Sequence, residues 1–189
     1  MTDYKEHITD YFTRLKNTID NVSKDEINTL MNLLVDAREE GRQIFIMGNG
    51  GSASTASHYT GDFGKGISYN RDKRFKIHCL NDNVPIVLAY ANDISYDIAF
   101  MEQLKSYMNA GDLVIGISGS GNSKSITNAI EWANENGGIT VGLTGYEGGK
   151  LKQCARFGVH VAINDMQIVE DLHLILNHCM MQIIGYKCE

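Results

Sequence analysis

Apolar positions recur along this chain in two rhythms. Over residues 3–20, Tyr4, Ile8, Tyr11, Phe12, Leu15 and Ile19 fall three and four apart, the spacing of an amphipathic helix. Ser23-Lys24-Asp25-Glu26 follows, with Ser23 placed to cap a second helix and Glu26 placed to reach back to it. Ile27, Leu30, Leu33 and Leu34 give that helix its apolar face, and Gly41 ends it.

Beyond Gly41 the rhythm changes to short apolar run, small or polar turn, helix. The runs are 43–47, 75–80, 113–117, 139–144 and 157–163. They are too short for helices, and their near-continuous hydrophobicity is that of strands buried on both faces of a parallel sheet. Helices are predicted at 52–64, 83–91 with 97–108, 123–136, 148–154 and 166–186. Strands alternating with helices predict an α/β fold, a doubly wound five-stranded parallel sheet flanked by helices with two further helices at the N-terminus. No linker or repeat interrupts the pattern, so residues 1–189 read as a single domain. Ligands in such folds sit beyond the carboxyl ends of the strands, which directs attention to the turns there.

Composition sharpens this picture by exclusion. The net charge of −6, without a basic run, argues against nucleic acid as a ligand. No apolar stretch is long enough to span a bilayer and the N-terminus has no signal-peptide core, so a cytoplasmic protein without membrane attachment is expected. Cys79, Cys154, Cys179 and Cys188 form no CxxC pair and read as thiols in a reducing compartment. The 19 glycines beside a single proline, Pro85, mark loops built for close approach rather than disorder.

Two turns carry the candidate chemistry. Gly48-Asn49-Gly50-Gly51-Ser52-Ala53-Ser54 follows the first strand, and Ser118-Gly119-Ser120-Gly121-Asn122-Ser123 follows the third. Each opens a helix whose first N–H groups and dipole favour an anion, and the second adds three hydroxyl donors. A dinucleotide reading of Gly48-x-Gly50-x-x-Ala53 wants an acidic residue about 20 positions on, but the nearest acid at the next strand's end, Asp82, is 34 positions beyond Gly48. A phosphate loop of the GK[ST] kind is ruled out because Lys124-Ser125 follows Ser123 rather than glycine.

A second constellation involves histidines and carboxylates. His58 and Asp62 lie four apart on the helix opened by the first turn. Glu170, His173 and His178 lie on the last helix, with Glu170 and His178 eight apart on a broad common face. Two histidines and two carboxylates form a set suited to a divalent ion such as zinc, and histidines at helical spacing also serve as packing residues.

Together these residues resemble the sugar isomerase (SIS) family, and within it the bacterial phosphoheptose isomerases. The resemblance rests on Gly48–Ala53 followed by His58, on Gly116–Ser123, on Asn92-Asp93, on Leu143–Lys150, and on Glu170-Asp171-Leu172-His173 with His178, in order and spacing over nearly the whole chain. It implies a homotetramer and isomerisation of sedoheptulose 7-phosphate to a heptose 7-phosphate for surface polysaccharide. It implies that Ser118, Ser120 and Ser123, in a loop with Gly119, hold the phosphate. Asn49, Gly50, Gly51, Asn92, Asp93 and Glu170 would line the sugar site. His58, Asp62, Glu170 and His178 would bind one zinc ion per subunit, and Asp62, His178 and Glu170 would share the proton transfers. Three positions depart from the family pattern: Asp62 stands where a glutamate is usual, Glu170 where a glutamine is usual, and Gly119 where a threonine is usual. An isomerase of another phosphosugar, or a non-catalytic member that binds a protein partner, are the alternatives.

Overall fold

The computed structural model describes residues 2–187. Five parallel strands form one sheet: β1 (Gln43–Gly48), β2 (Lys76–Cys79), β3 (Leu113–Ser118), β4 (Ile139–Thr144) and β5 (Phe157–His160), in the order β2-β1-β3-β4-β5. The strands are rich in isoleucine, valine and leucine because both faces are covered. In β1, Ile44 and Ile46 enter one core with Ile115, Ile117, Val141, Leu143 and Val159. Phe45 and Met47 enter the other core with Val114. Burial on both faces removes the alternation of polar residues that a half-solvated strand would show.

The first core is roofed by α2 (Lys24–Glu39), α3 (Gly51–Gly61) and α8 (Met166–Lys187), with α1 (Lys5–Asn21) leaning on α8. The second is roofed by α5 (Ala99–Tyr107), α6 (Lys124–Glu135) and α7 (Gly149–Cys154). α4 (Val84–Asp93) contains no buried residue and lies outside α5. The predicted doubly wound α/β fold is therefore present. Its topological switch point falls between β1 and β3, so the two small-residue turns flank one crevice. No helix among the described residues is long and apolar enough to cross a membrane. Cys79, Cys154 and Cys179 are free thiols, and Cys188 lies outside the described residues.

Several expectations are corrected locally. The helix expected over 52–64 is α-helical only to Gly61 and then widens into a π-helical turn, Asp62–Ile67. Ser68 closes that turn by donating its hydroxyl to the Phe63 carbonyl at 2.6 Å. The segment expected as a strand over 157–163 leaves the ladder after His160. The capping box is half formed. Ser23 Oγ accepts from the Glu26 N–H at 3.2 Å, but the Glu26 carboxylate accepts instead from the His160 N–H of edge strand β5 at 2.9 Å. An unpaired edge N–H competes successfully for that carboxylate.

Candidate active site

The β1 turn is held open by side chains. Asn81, just past β2, accepts from the Gly48 N–H at 3.1 Å and donates to the Gly48 carbonyl at 2.8 Å. Gly50 adopts φ +54°, a region an L side chain rarely enters. The Asn49 amide crosses the crevice to donate to Ser125 Oγ at 3.0 Å, and it accepts from the Tyr96 hydroxyl. Tyr96 sits in a 3₁₀ turn, Tyr96–Ile98, shortly after Asn92 and Asp93, which are exposed and bonded to each other at 2.7 Å. Burial of the Tyr96 ring pushes its phenol pKa up, so the hydroxyl remains a donor.

The β3 turn is more tightly built. Ser118 Oγ lies 3.3 Å from Ser123 Oγ and accepts from the Gly121 N–H at 3.1 Å. The loop is clamped to the start of α7: the Leu151 N–H donates to the Gly121 carbonyl at 2.8 Å, and the Lys150 N–H donates to Asn122 Oδ1 at 3.0 Å. Gly121 has φ +69°, and any Cβ there would collide with the Gly148 carbonyl. Gly119 lies against the Met166 thioether, which a side chain at this position would have to displace. Ser118, Ser120 and Ser123 thus lie in the turn that opens α6, at a helix N-terminus, which suits a phosphate.

The histidines and one carboxylate converge at a separate corner. His58 Nε2 and His178 Nε2 lie 3.0 Å apart. Asp62 Oδ2 is 3.4 Å from His58 Nε2 and 3.7 Å from His178 Nε2. The buried face of α3, formed by Ser52, Thr55, Ala56 and Tyr59, turns His58 outward. The buried stripe of α8, including Leu172, Leu176 and Met180, turns His178 toward it. Asp62 stands at the first residue of the π turn. Such widened turns occur disproportionately at functional sites.

The three ligand atoms suit a divalent ion. Metal–nitrogen bonds of about 2.0–2.1 Å in a tetrahedron put ligand atoms about 3.4 Å apart, and two histidines with one carboxylate leave a fourth position for a reacting oxygen. Glu170 is not in this group. Its carboxylate lies directly against Gly51, where a Cβ would collide with it. Residue 170 thus meets the start of α3 while residue 178 meets its third turn, a separation of about 12 Å along α8 at about 1.5 Å per residue.

His173, the remaining histidine of the pattern, packs in the core. Neither ring nitrogen has a hydrogen-bond partner among the described residues. Burial depresses its pKa to about 4, and the nearby Thr144 backbone, short of a formed hydrogen bond, offsets only part of that shift. Asn81, Tyr96, Ser125 and Asn177 were not singled out from the sequence. Asn177 donates to Asp62 Oδ2 at 2.6 Å from a fully buried position. An asparagine on an apolar helix face was the available signal for it.

Residues 3–145 match the SIS domain. A phosphoheptose isomerase of Citrifermentans bemidjiense is 33% identical over 158 residues, covering 84% of this chain and 82% of the relative. One of Aliarcobacter butzleri is 32% identical over 183 residues, covering 96% of this chain and 91% of the relative. The solved phosphoheptose isomerase of Francisella tularensis superposes with a TM-score of 0.89 at 23% identity, over 98% of this chain and all of that one (100%). That of Neisseria gonorrhoeae gives 0.87 at 24%, over 96% and 98%. The chain belongs to the SIS domain family, within the phosphoheptose isomerase group of aldose–ketose isomerases.

Proposed function

We propose that this protein interconverts sedoheptulose 7-phosphate and D-glycero-D-manno-heptose 7-phosphate, supplying heptose for surface polysaccharide in the cytoplasm. The observation that carries the proposal is the convergence of His58, Asp62 and His178 within 3.0–3.7 Å, in a chain that also carries the serine loop at the carboxyl end of β3. One part of such a site handles protons and the other holds a remote phosphate.

Ser118, Ser120 and Ser123, with the first N–H groups of α6, bind the phosphate and orient the chain of carbons. Binding energy from this end is spent on positioning the reacting end. Asn49, Gly50, Gly51, Asn92 and Asp93 line the sugar, with Asn49 pre-aimed by Tyr96 and Ser125. A base removes a proton from C1 of the ketose, the C2 carbonyl oxygen gains a proton, and the resulting enediol is protonated at C2 as the C1 hydroxyl loses its proton. Asp62 is committed to the two imidazoles and to Asn177. Glu170 is therefore the carboxylate assigned to carbon, held against Gly51 at the start of α3. His178 exchanges the oxygen-bound protons through Nδ1, its Nε2 facing the shared corner. His58, Asp62 and His178 would hold one zinc ion per subunit, which would polarise the carbonyl oxygen, and Glu170 is assigned to the substrate rather than to the metal.

A homotetramer is the assembly that suits the surface. Tyr4, Ile8 and Phe12 of α1 are exposed, and an apolar groove of about 390 Å³ between α1–α2 and α8 is lined by Ile19, Ile27, Met31, Ile175 and Ile183.

The test is turnover of sedoheptulose 7-phosphate by purified protein, followed by NMR with and without a chelator. Heptose 7-phosphate formed, and lost on chelation, is expected. No product from metal-replete tetramer would transfer the reading to another phosphosugar. No product and no bound metal would replace catalysis with a binding role.

A further inference from the structure

Asn177 is fully buried on α8, yet it is polar and makes one side-chain hydrogen bond. Its amide nitrogen donates to Asp62 Oδ2 at 2.6 Å. Its carbonyl oxygen has no partner among the described residues. This orientation is the one that chemistry allows, since only the amino group can face a carboxylate. An orphaned buried acceptor is a net cost to the fold. Against that cost stands one contact, the donation to Asp62.

The oxygen that Asn177 holds is the one shared by the two imidazoles. Asp62 Oδ2 lies 3.4 Å from His58 Nε2 and 3.7 Å from His178 Nε2. The last torsion of an aspartate is broad and roughly two-fold, so the side chain alone does not choose which oxygen faces the histidines. Asp62 also sits where α3 gives way to the π turn, at the end of a regular backbone ladder. A rigid donor rising from the core of α8 removes that freedom.

We propose that Asn177 is the positioning residue for Asp62. It fixes Oδ2 at the point where His58 and His178 converge, and so sets how tightly this corner holds a divalent cation. The inference rests on the metal reading above and adds a residue from outside the ligand set. Partners of metal ligands that orient them typically change affinity by 10–100-fold when removed.

The experiment titrates Co²⁺ alone into the full-length metal-free chain, reading its visible absorption, and measures Tm of the same metal-free samples. Asn177→Leu keeps the branching and size of the side chain but removes both polar atoms. Its Co²⁺ affinity should fall about 10–100-fold, while Tm stays level or rises because the orphaned acceptor is gone. In an Asp62→Ala background the same substitution should change affinity less than about twofold, since its effect runs through Asp62. Unchanged affinity in Asn177→Leu, or an equal loss in the Asp62→Ala background, would overturn the proposal. If Asn177→Leu does not fold, Asn177→Ala takes its place; failure of both would make Asn177 structural and overturn it as well. Failure of the unaltered chain to bind Co²⁺ would instead remove the metal reading itself.

Discussion

The serine loop and the histidine corner are made by different means. The loop at 118–123 is shaped mainly by backbone: Gly121 carries φ +69° and its carbonyl is bonded to the Leu151 N–H, with the Asn122 side chain adding a tie to the Lys150 N–H. The corner of His58, Asp62 and His178 is made by side chains projecting from two helices, and a single hydrogen bond from the core, that of Asn177, steadies it. A site made of backbone tolerates little change and needs no tuning. A site made of side chains can be altered atom by atom, as Asp62 shows by holding both imidazoles and Asn177 through one carboxylate oxygen.

The comparison breaks most sharply if a corner residue proves structural. His178→Ala should lower kcat by about 10²–10⁴-fold, the range for loss of a positioned proton-transfer group. Its side chain is about half exposed (52%), so Tm should change little. Steady-state kinetics beside a thermal melt decide this, and retained activity would remove His178 from the mechanism. The reverse signature belongs to the loop. Gly121→Ala forces a Cβ into the Gly148 carbonyl at a left-handed backbone position. It should cost about 2–4 kcal/mol of stability and weaken substrate binding together with Tm, measured by denaturant unfolding and KM.

These two constructions also explain what the sequence discloses. Both turns are legible because a backbone site requires small residues, and Gly48–Ser54 and Ser118–Ser123 concentrate them. Strand β4 is found at its expected bounds, Ile139–Thr144, because burial on both faces leaves an uninterrupted run. The π turn at Asp62–Ile67 leaves no periodic mark in Asp-Phe-Gly-Lys-Gly-Ile, since one widened turn is too short to shift a pattern. Glu170 and His178 share a face by spacing, which suggests one ligand set. But α3 and α8 run alongside each other, so the two residues meet different turns of α3. Spacing within one helix says nothing about the neighbour's direction. Asn177 is hidden for a related reason: a lone asparagine among leucines has no local signature, and its meaning lies 115 residues away.

His173, buried in the core, yields a pH signature. Its pKa is about 4 in the folded chain against 6.5 when exposed. Between these values the unfolded chain binds the extra proton, so stability rises with pH. The contribution is fully present above about pH 6.5 and is lost as pH falls toward 4, by about 3 kcal/mol over the window. His173→Leu should flatten that part of the stability–pH curve in urea melts. An unchanged slope would show that another group carries the acid sensitivity.

The smallest expected effect is also the cleanest discriminator. Ser120 Oγ accepts from the Asn122 N–H at 3.3 Å, which leaves its own proton free to donate to a phosphate oxygen. The loop does not depend on that hydroxyl, because the Gly121, Asn122 and Leu151 bonds to the α7 segment remain. Ser120→Ala therefore removes one charge-assisted hydrogen bond, worth about 1.5–3 kcal/mol before solvent competes for the phosphate, together with the long contact from the Asn122 N–H. KM for the sugar phosphate should rise about tenfold, with Tm and Co²⁺ affinity unchanged. The fate of kcat then separates two uses of the phosphate. An unchanged kcat means that the loop only gathers substrate. A fall in kcat alongside the rise in KM means that phosphate binding energy is delivered to the reacting carbons, and that the backbone-built and side-chain-built regions act as one site.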